Sequence, residues 1–153
     1  RTPDANQNLK AAIVNMNLGT TAPQIFRALV EAICFGSKRI VDRFREEGVE
    51  IDTIVGIGGV AKKSGFIMQS LANVLNMPIM VAVSEQAPAL GAAMYAAVAA
   101  NIHPNMQKAI LAMGNGFEQT YKPQPDQVAI YEKLYEKYVL LGDFVENNIN
   151  HKG

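Results

Sequence analysis

A glycine-rich stretch between an apolar run and an amphipathic segment constrains this chain more than any other part of its sequence. Residues 56–64 read GIGGVAKKS; they follow the apolar residues 53–55 and precede GFIMQSLANVL. Glycines at a strand-to-helix junction let a ligand approach the bare backbone, and the start of the helix adds the positive end of its dipole. The stretch is therefore a candidate site for a phosphate-bearing ligand such as a nucleotide.

The pattern around the glycines predicts parallel β-α-β units. Residues 53–57 are a short apolar run, and residues 68–75 carry apolar side chains at the i, i+3, i+4 and i+7 spacing of a buried helix face. A second apolar run follows at residues 78–83. Alternation of strands and helices predicts an α/β fold, in which ligands bind beyond the carboxyl ends of the strands.

Two known phosphate-binding motifs can be compared with the glycine stretch. A Walker A loop is excluded, because Ala61 and Lys62 stand where that motif needs Gly-Lys. A Rossmann dinucleotide fingerprint stays open: Gly56, Gly58 and Ala61 spell G-x-G-x-x-A, and Glu85 follows the next strand about 24 residues later. The chain order counts against it, since a long helix precedes the fingerprint.

A third mechanism uses only the pair Gly58-Gly59 as a backbone seat for a nucleotide. The alternative for this pair is a tight turn that binds nothing. Lys62 and Lys63 follow the pair, and for Lys62 the favoured interpretation is a solvated residue near a helix start.

The rest of the chain predicts further helices and strands around this unit. Thr21, Pro23 and Gln24 form a capping box with proline in the first turn, so a helix should run from there to Glu46 or Glu47 and stop near Gly48. The other predicted elements are a strand at 11–18, helices at 87–100 and 105–113, an extended segment at 117–121 and a final helix from Pro125.

Composition and charge narrow the function classes. The 153 residues are 49% hydrophobic, and 14 basic residues balance 14 acidic ones, which gives no basic footprint for a nucleic acid. No apolar run approaches the roughly 18 residues of a membrane span. The one cysteine, Cys34, is expected to be a buried thiol in a reducing cytoplasm. No metal-ligand spacing and no catalytic acid-base pair or triad is found, so we expect no metal ligand and no catalytic residue in this chain.

Several linked motifs resemble the FGGY carbohydrate kinases, a family of the actin, Hsp70 and sugar-kinase superfamily. The segments IVGIGGVAKKSGFIMQSLANVLNMPI and SEQAPALGAAMYAAVAA are similar to the adenosine-side segment of that family and the helix after it. Upstream, NLGTTAPQIFRALVEAICFGSKRIVDRF is similar to the family's second signature region. Within the family, this segment is most similar to the sequences of the ribulokinases. The resemblance covers residues 1–144.

The resemblance implies an actin-like ATPase (ribonuclease H-like) lobe, with a short, mostly parallel sheet flanked by helices. It implies an ATP-dependent kinase that uses Mg²⁺ and phosphorylates a ketopentose such as L-ribulose, in L-arabinose catabolism. Gly58 and Gly59 would approach the nucleotide, and Lys63 would face the adenine. The family's sugar pocket and catalytic aspartate lie in an N-terminal lobe that this chain does not contain.

These observations predict one domain at residues 1–145, the ATP-side lobe of a larger kinase, followed by a frayed tail at 146–153. By itself the chain should bind ATP or ADP weakly and should not turn over, because the sugar binds through the missing lobe. A homo-oligomer is an open possibility. The alternatives are a Rossmann-type NAD(P)-binding domain of an oxidoreductase, which rests on Gly56, Gly58, Ala61 and Glu85, and a non-catalytic interaction module.

Overall fold

The computed structural model of the protein describes residues 9–148. Along this range the helices and strands are α1 (Ala22–Glu46), β1 (Ile54–Gly56), α2 (Gly58–Lys63), α3 (Gly65–Leu75), β2 (Ile79–Ala82), α4 (Ala87–Ala99), α5 (Met106–Met113), β3 (Phe117–Tyr121) and α6 (Pro125–Asn148). The predicted α/β class is confirmed, and most of the predicted elements lie within a few residues of their expected positions.

The sheet is mixed, whereas the sequence predicted a mostly parallel one. Its order is β1-β2-β3; β1 and β2 are parallel, and β2 and β3 are antiparallel. The reason lies in the connection after β2, where α4 and α5 pack against each other as a helical pair. One helix leads the chain away and the other returns it, so that β3 starts beside the carboxyl end of β2. There the Val83 amide donates to the carbonyl of Gly116 at 3.1 Å.

The long helix α1 begins and ends where its signals predict. At its start, Gln24 Oε1 accepts from the Thr21 amide at 2.8 Å and from the Thr21 hydroxyl at 3.0 Å. At its end, Gly48 adopts a φ of 80°, which terminates helices readily because glycine has no Cβ. These local interactions fix both ends of α1 independently of tertiary packing.

Two hydrophobic clusters form the core, and α3 contributes to both. One cluster packs α3 against the sheet; its buried members are Ala61, Met68, Ala72, Leu75, Met77, Ile79 and Val81. The other joins α1, α3 and α6 through Val30, Cys34, Phe35, Val74 and Tyr131. The prediction that Cys34 is buried is confirmed, with 1% of the residue exposed. The sheet is therefore supported from one side by α3, and α3 in turn by the two long helices.

One side of α1 is apolar but exposed. The 3.6-residue periodicity that predicted the helix includes Phe26, Leu29 and Ile33, and Phe26 and Ile33 are 62% and 68% exposed. The buried residues of α1 are Val30, Cys34 and Phe35, on the side that faces α3 and α6. Phe26 and Ile33 lie outside this buried face, so periodicity identified the helix but not the side that is buried.

The strand predicted at residues 11–18 is wrong. The segment is irregular, and Ile13, Val14, Met16 and Leu18 are all exposed. Asn15 adopts a left-handed φ of 61°, which interrupts the extended backbone that strand pairing needs. Apolar alternation alone therefore did not produce a strand, since none of the described strands pairs with this segment.

The last helix extends further than the sequence suggested. Helix α6 continues to Asn148, so residues 146–148 of the tail predicted to fray are helical. Residues 149–153, the rest of that predicted tail, lie outside the described residues. In the part of the chain that the structure describes, no helix is long and apolar enough to cross a membrane.

Candidate nucleotide-binding site

The glycine pair lies at the carboxyl end of β1, where the β-α-β pattern placed it. Ile57 is the N-cap of α2, and Gly58 and Gly59 form the first turn of that six-residue helix. Because β1 and β2 are parallel, the residues after both strands lie at the same edge of the sheet. This edge is the usual ligand-binding side of an α/β fold.

The two glycines are required for different reasons. Gly58 has a φ of 80°, which an L-residue with a side chain adopts only under strain. Gly59 has no such φ, and a Cβ built on it would meet no atom within 4 Å other than those of its chain neighbours and of its own helix backbone. Neither backbone strain nor packing within the described residues explains a glycine at position 59. The backbone of Gly59 is also exposed, so it can be approached from outside.

Gly56 has a packing role. A Cβ at this position would lie 3.1 Å from the Ala61 Cβ and 3.3 Å from the Met68 sulfur. Gly56 therefore lets α2 and α3 pack closely onto the end of β1.

The two lysines of the stretch differ in environment. Lys63 is exposed and makes no ion pair with the residues that the structure describes. Lys62 is not simply solvated, as the sequence favoured: its Nζ donates to the carbonyl of Val83 and lies 3.3 Å from Glu118 Oε2. The structure thus brings together the residues after β1, the end of β2 and the start of β3.

Sequence reasoning missed two further residues of this edge. Ser64 separates α2 from α3, and its hydroxyl accepts from the Ile67 amide at 3.3 Å as the N-cap of α3. A serine before a glycine and an apolar periodic segment is a readable cap signal. Glu118 gave no such signal, because its position depends on the pairing of β3 with β2.

The Rossmann alternative is not supported by the structure. Ala61, the third position of that fingerprint, is buried in the core cluster inside α2. The helix that carries the fingerprint ends at Lys63, whereas the dinucleotide motif opens a full crossover helix. Glu85 is exposed after β2, and the described sheet has a single parallel pair.

A separate cavity lies away from the glycine pair. Its volume is about 720 Å³, and it lies between residues 9–15, α1 and α6, with Ile13, Leu29 and Phe35 in its wall. It has a mostly apolar lining and no glycine-rich backbone, so we assign it no nucleotide. Among residues 9–148, no group of three or more His, Cys, Asp or Glu side chains is placed to hold a metal ion.

Comparison with known proteins identifies the family. Residues 1–100 match the C-terminal domain of the FGGY family of carbohydrate kinases. The chain belongs to this family. It is 44% identical over 146 residues to a ribulokinase of Vibrio parahaemolyticus, covering 95% of this chain and 26% of that protein. A ribulokinase of Halalkalibacterium halodurans is 42% identical, with 93% and 26% covered. The chain thus spans about a quarter of the length of these curated relatives.

Solved structures of a xylulose kinase and a glycerol kinase share the fold. The ligand-bound xylulose kinase of Lactobacillus acidophilus superimposes with a TM-score of 0.84 over 97% of this chain and 30% of its own, at 23% identity. A Plasmodium falciparum glycerol kinase solved with ADP gives a TM-score of 0.72 over 90% of this chain and 28% of its own, at 23% identity. The expected fold, that of the C-terminal domain of a carbohydrate kinase, is confirmed.

Proposed function

We propose that this chain is the nucleotide-side lobe of an ATP-dependent sugar kinase that phosphorylates a ketopentose such as L-ribulose. The observation that carries the proposal is the 44% identity to a ribulokinase over 95% of the chain. The reaction transfers the γ-phosphoryl group of ATP to a sugar hydroxyl, and catalysis of this kind depends on positioning and on electrostatic stabilisation. By this proposal the chain supplies the positioning of the nucleotide.

We propose that Gly58 and Gly59 form the seat for the adenosine and that Lys63 lies beside the adenine. Three features support this assignment: the exposed backbone of Gly59, the open space where its side chain would be, and the position at the carboxyl end of β1. The exposed Lys63, at the end of α2, has a side chain free to contact the base. The glycerol kinase solved with ADP has the same fold.

The remaining parts of the reaction belong, in this proposal, to the rest of the kinase. No catalytic base or sugar pocket is assigned to residues 9–148. The side chains in this range do not fit a magnesium site, because they form no suitable cluster of ligands. Mg²⁺ would therefore arrive with the nucleotide phosphates or be held by other residues. The buried thiol of Cys34 is consistent with a cytoplasmic protein, and L-arabinose catabolism is the pathway that a ribulokinase implies.

The product of the complete gene, incubated with ATP and a panel of sugars, tests the proposal. ADP release should be fastest with L-ribulose, and slower with D-xylulose, glycerol or gluconate. Calorimetry should detect binding of ADP but not of NAD. The proposal would be overturned if the protein bound NAD but not ADP. It would also be overturned if no sugar in the panel led to ATP turnover.

A further inference from the structure

A β-bulge directs Glu118 towards the candidate site. Val81 pairs with Gln119, but the next residue, Ala82, pairs with Phe117, so Glu118 is an extra residue in β3. A bulge bends its strand and changes the direction of the side chain that it carries, and such bulges are frequent next to active sites. Here the Glu118 carboxylate reaches Lys62, 3.3 Å away, in α2.

The Lys62 side chain connects three parts of the ligand-binding edge. Lys62 lies one turn after Gly58 and Gly59 on the same short helix, and it donates to the carbonyl of Val83 as well as to Glu118. Its side chain is only 20% exposed, compared with 39% for Glu118. A partly buried lysine with two acceptors holds one geometry better than an exposed pair does.

We propose that Lys62 is a positioning residue for the nucleotide, which it does not itself contact. It holds α2, and with it Gly58 and Gly59, at a fixed distance from the end of β2 and from residues 84–86, which lead into α4. Its charge is neutralised by Glu118 and its proton donors are directed at protein oxygens. This inference rests on the proposed function, because it assumes that the glycine pair seats the adenosine.

The substitution Lys62→Met, made in the product of the complete gene, tests the proposal. Without the two contacts α2 is less well ordered. Part of the binding free energy is then used to order it, so the KM for ATP should rise about five- to tenfold. The KM for the sugar should stay within about twofold, since the sugar does not bind to this lobe in the proposed function. Lys62→Arg, which keeps the charge and the donors, should stay close to the wild type.

Two further variants check the mechanism. Glu118→Gln should raise the KM for ATP less than Lys62→Met does, because the bond to Val83 remains. In the double variant the two effects should be less than additive, since both changes act on one interaction. Lys108→Met, an exposed lysine on α5 with no side-chain bond to the described residues, serves as the control for loss of a surface charge and should leave both KM values unchanged.

A direct contact between Lys62 and the phosphates gives a different result. If Lys62 is a positioning residue, Lys62→Met should lower the affinity for adenosine and for ADP to the same degree. If Lys62 instead contacts the phosphates, the variant should lower the affinity for ADP alone, and that result would overturn the proposal. An unchanged KM for ATP in Lys62→Met, with the wild type active, overturns the role of Lys62 and leaves the proposed function intact. A wild-type protein that binds no adenine nucleotide overturns both. Circular dichroism establishes that each variant is folded at the assay temperature.

Discussion

Neighbouring glycines in this chain have separate physical roles. Gly56 allows close packing, Gly58 allows a left-handed backbone and Gly59 leaves an exposed open space. A sequence shows the three residues as equivalent. Substitutions can distinguish these roles. Changes at Gly56 and Gly58 should lower stability, whereas a change at Gly59 should lower only the affinity for a ligand.

Alanine substitutions at Gly58 and Gly59 form a matched pair. Gly58→Ala should lower the free energy of unfolding by about 1–2 kcal/mol, because the new Cβ makes a φ of 80° unfavourable. Gly59→Ala should leave it unchanged or raise it by up to about 1 kcal/mol, since alanine is the better helix former. Denaturant unfolding measures both variants.

Gly59→Ala should change nucleotide binding although it leaves stability intact. We expect Gly59→Ala to weaken ADP binding at least about tenfold, because a methyl group would occupy the space where the nucleotide approaches the backbone. Calorimetry with ADP measures this loss. If Gly59→Ala bound ADP as tightly as the wild type, Gly59 would not belong to the site.

Cys34 should make stability depend on pH in the alkaline range. Burial, and secondly the nearby Glu31 carboxylate, raise the pKa of the Cys34 thiol from 9.0 to about 11. Above pH 9 the unfolded chain loses this proton while the folded protein keeps it, so the free energy of unfolding falls as pH rises, by at most about 1.4 kcal/mol per pH unit. Below pH 9 the thiol is neutral in both states and contributes no slope.

The measurement is denaturant unfolding between pH 8 and pH 10, compared with Cys34→Ala. The variant lacks the thiol, so its stability should decline less steeply over this window. Equal slopes in the two proteins would show that Cys34 does not titrate as its burial requires.

At the scale of elements, tyrosines of α6 fasten that helix to α1. The hydroxyl of Tyr131 donates to Glu31 Oε1 at 3.1 Å, and the hydroxyl of Tyr135 donates to Asp42 Oδ2 at 3.0 Å. Burial and the bond to Asp42 both raise the pKa of Tyr135, so its hydroxyl remains a donor throughout the physiological range. Both bonds connect residues far apart in sequence and so depend on the packed fold.

Tyr131→Phe tests this connection while keeping the ring. It should lower the free energy of unfolding by about 1–2 kcal/mol, because the bond accepted by a partly buried carboxylate is lost. Tyr138→Phe is the matched control: its ring also packs on Phe35, at 5.4 Å between centroids, and its hydroxyl makes no hydrogen bond with the described residues. Thermal unfolding of the two variants measures the difference, and equal losses would contradict a role for the Tyr131 hydroxyl.

At the scale of the whole molecule, much apolar surface stays open on residues 9–148. Besides α1, Val14 and Leu18 of the irregular segment are exposed, as are Leu140 and Phe144 of α6. Large exposed apolar areas commonly mark contacts with other protein surfaces. This exposed apolar surface supports the proposal that the chain is one lobe of a larger kinase.

The 153 residues by themselves should bind ADP weakly and phosphorylate no sugar. One wall of a cleft covers much less than the 70–90% of ligand surface that complete sites bury. Calorimetry with ADP and a coupled assay with ATP and L-ribulose measure both properties. Sugar phosphorylation by these residues alone would contradict the proposal that the sugar and the catalytic base belong to another lobe.

Local signals were enough to predict most of the elements. The capping box at Thr21, proline near the start of helices and glycine after them act through neighbouring backbone atoms, so they can be read without knowing the fold. The strand predicted at 11–18 failed because pairing needs a partner strand, which the sequence does not show. The antiparallel direction of β3 could not be read either, since it depends on how α4 and α5 pack.

For the candidate site, the sequence by itself determined the glycine pair, its place between strand and helix, and the family. Tertiary structure decided which glycine is strained and which is open, because φ and neighbouring atoms exist only in the folded chain. It also decided the contacts of Lys62, whose partners lie 21 and 56 residues away along the chain. Such contacts arise from the packing of separate elements, and no local pattern in the sequence specifies them.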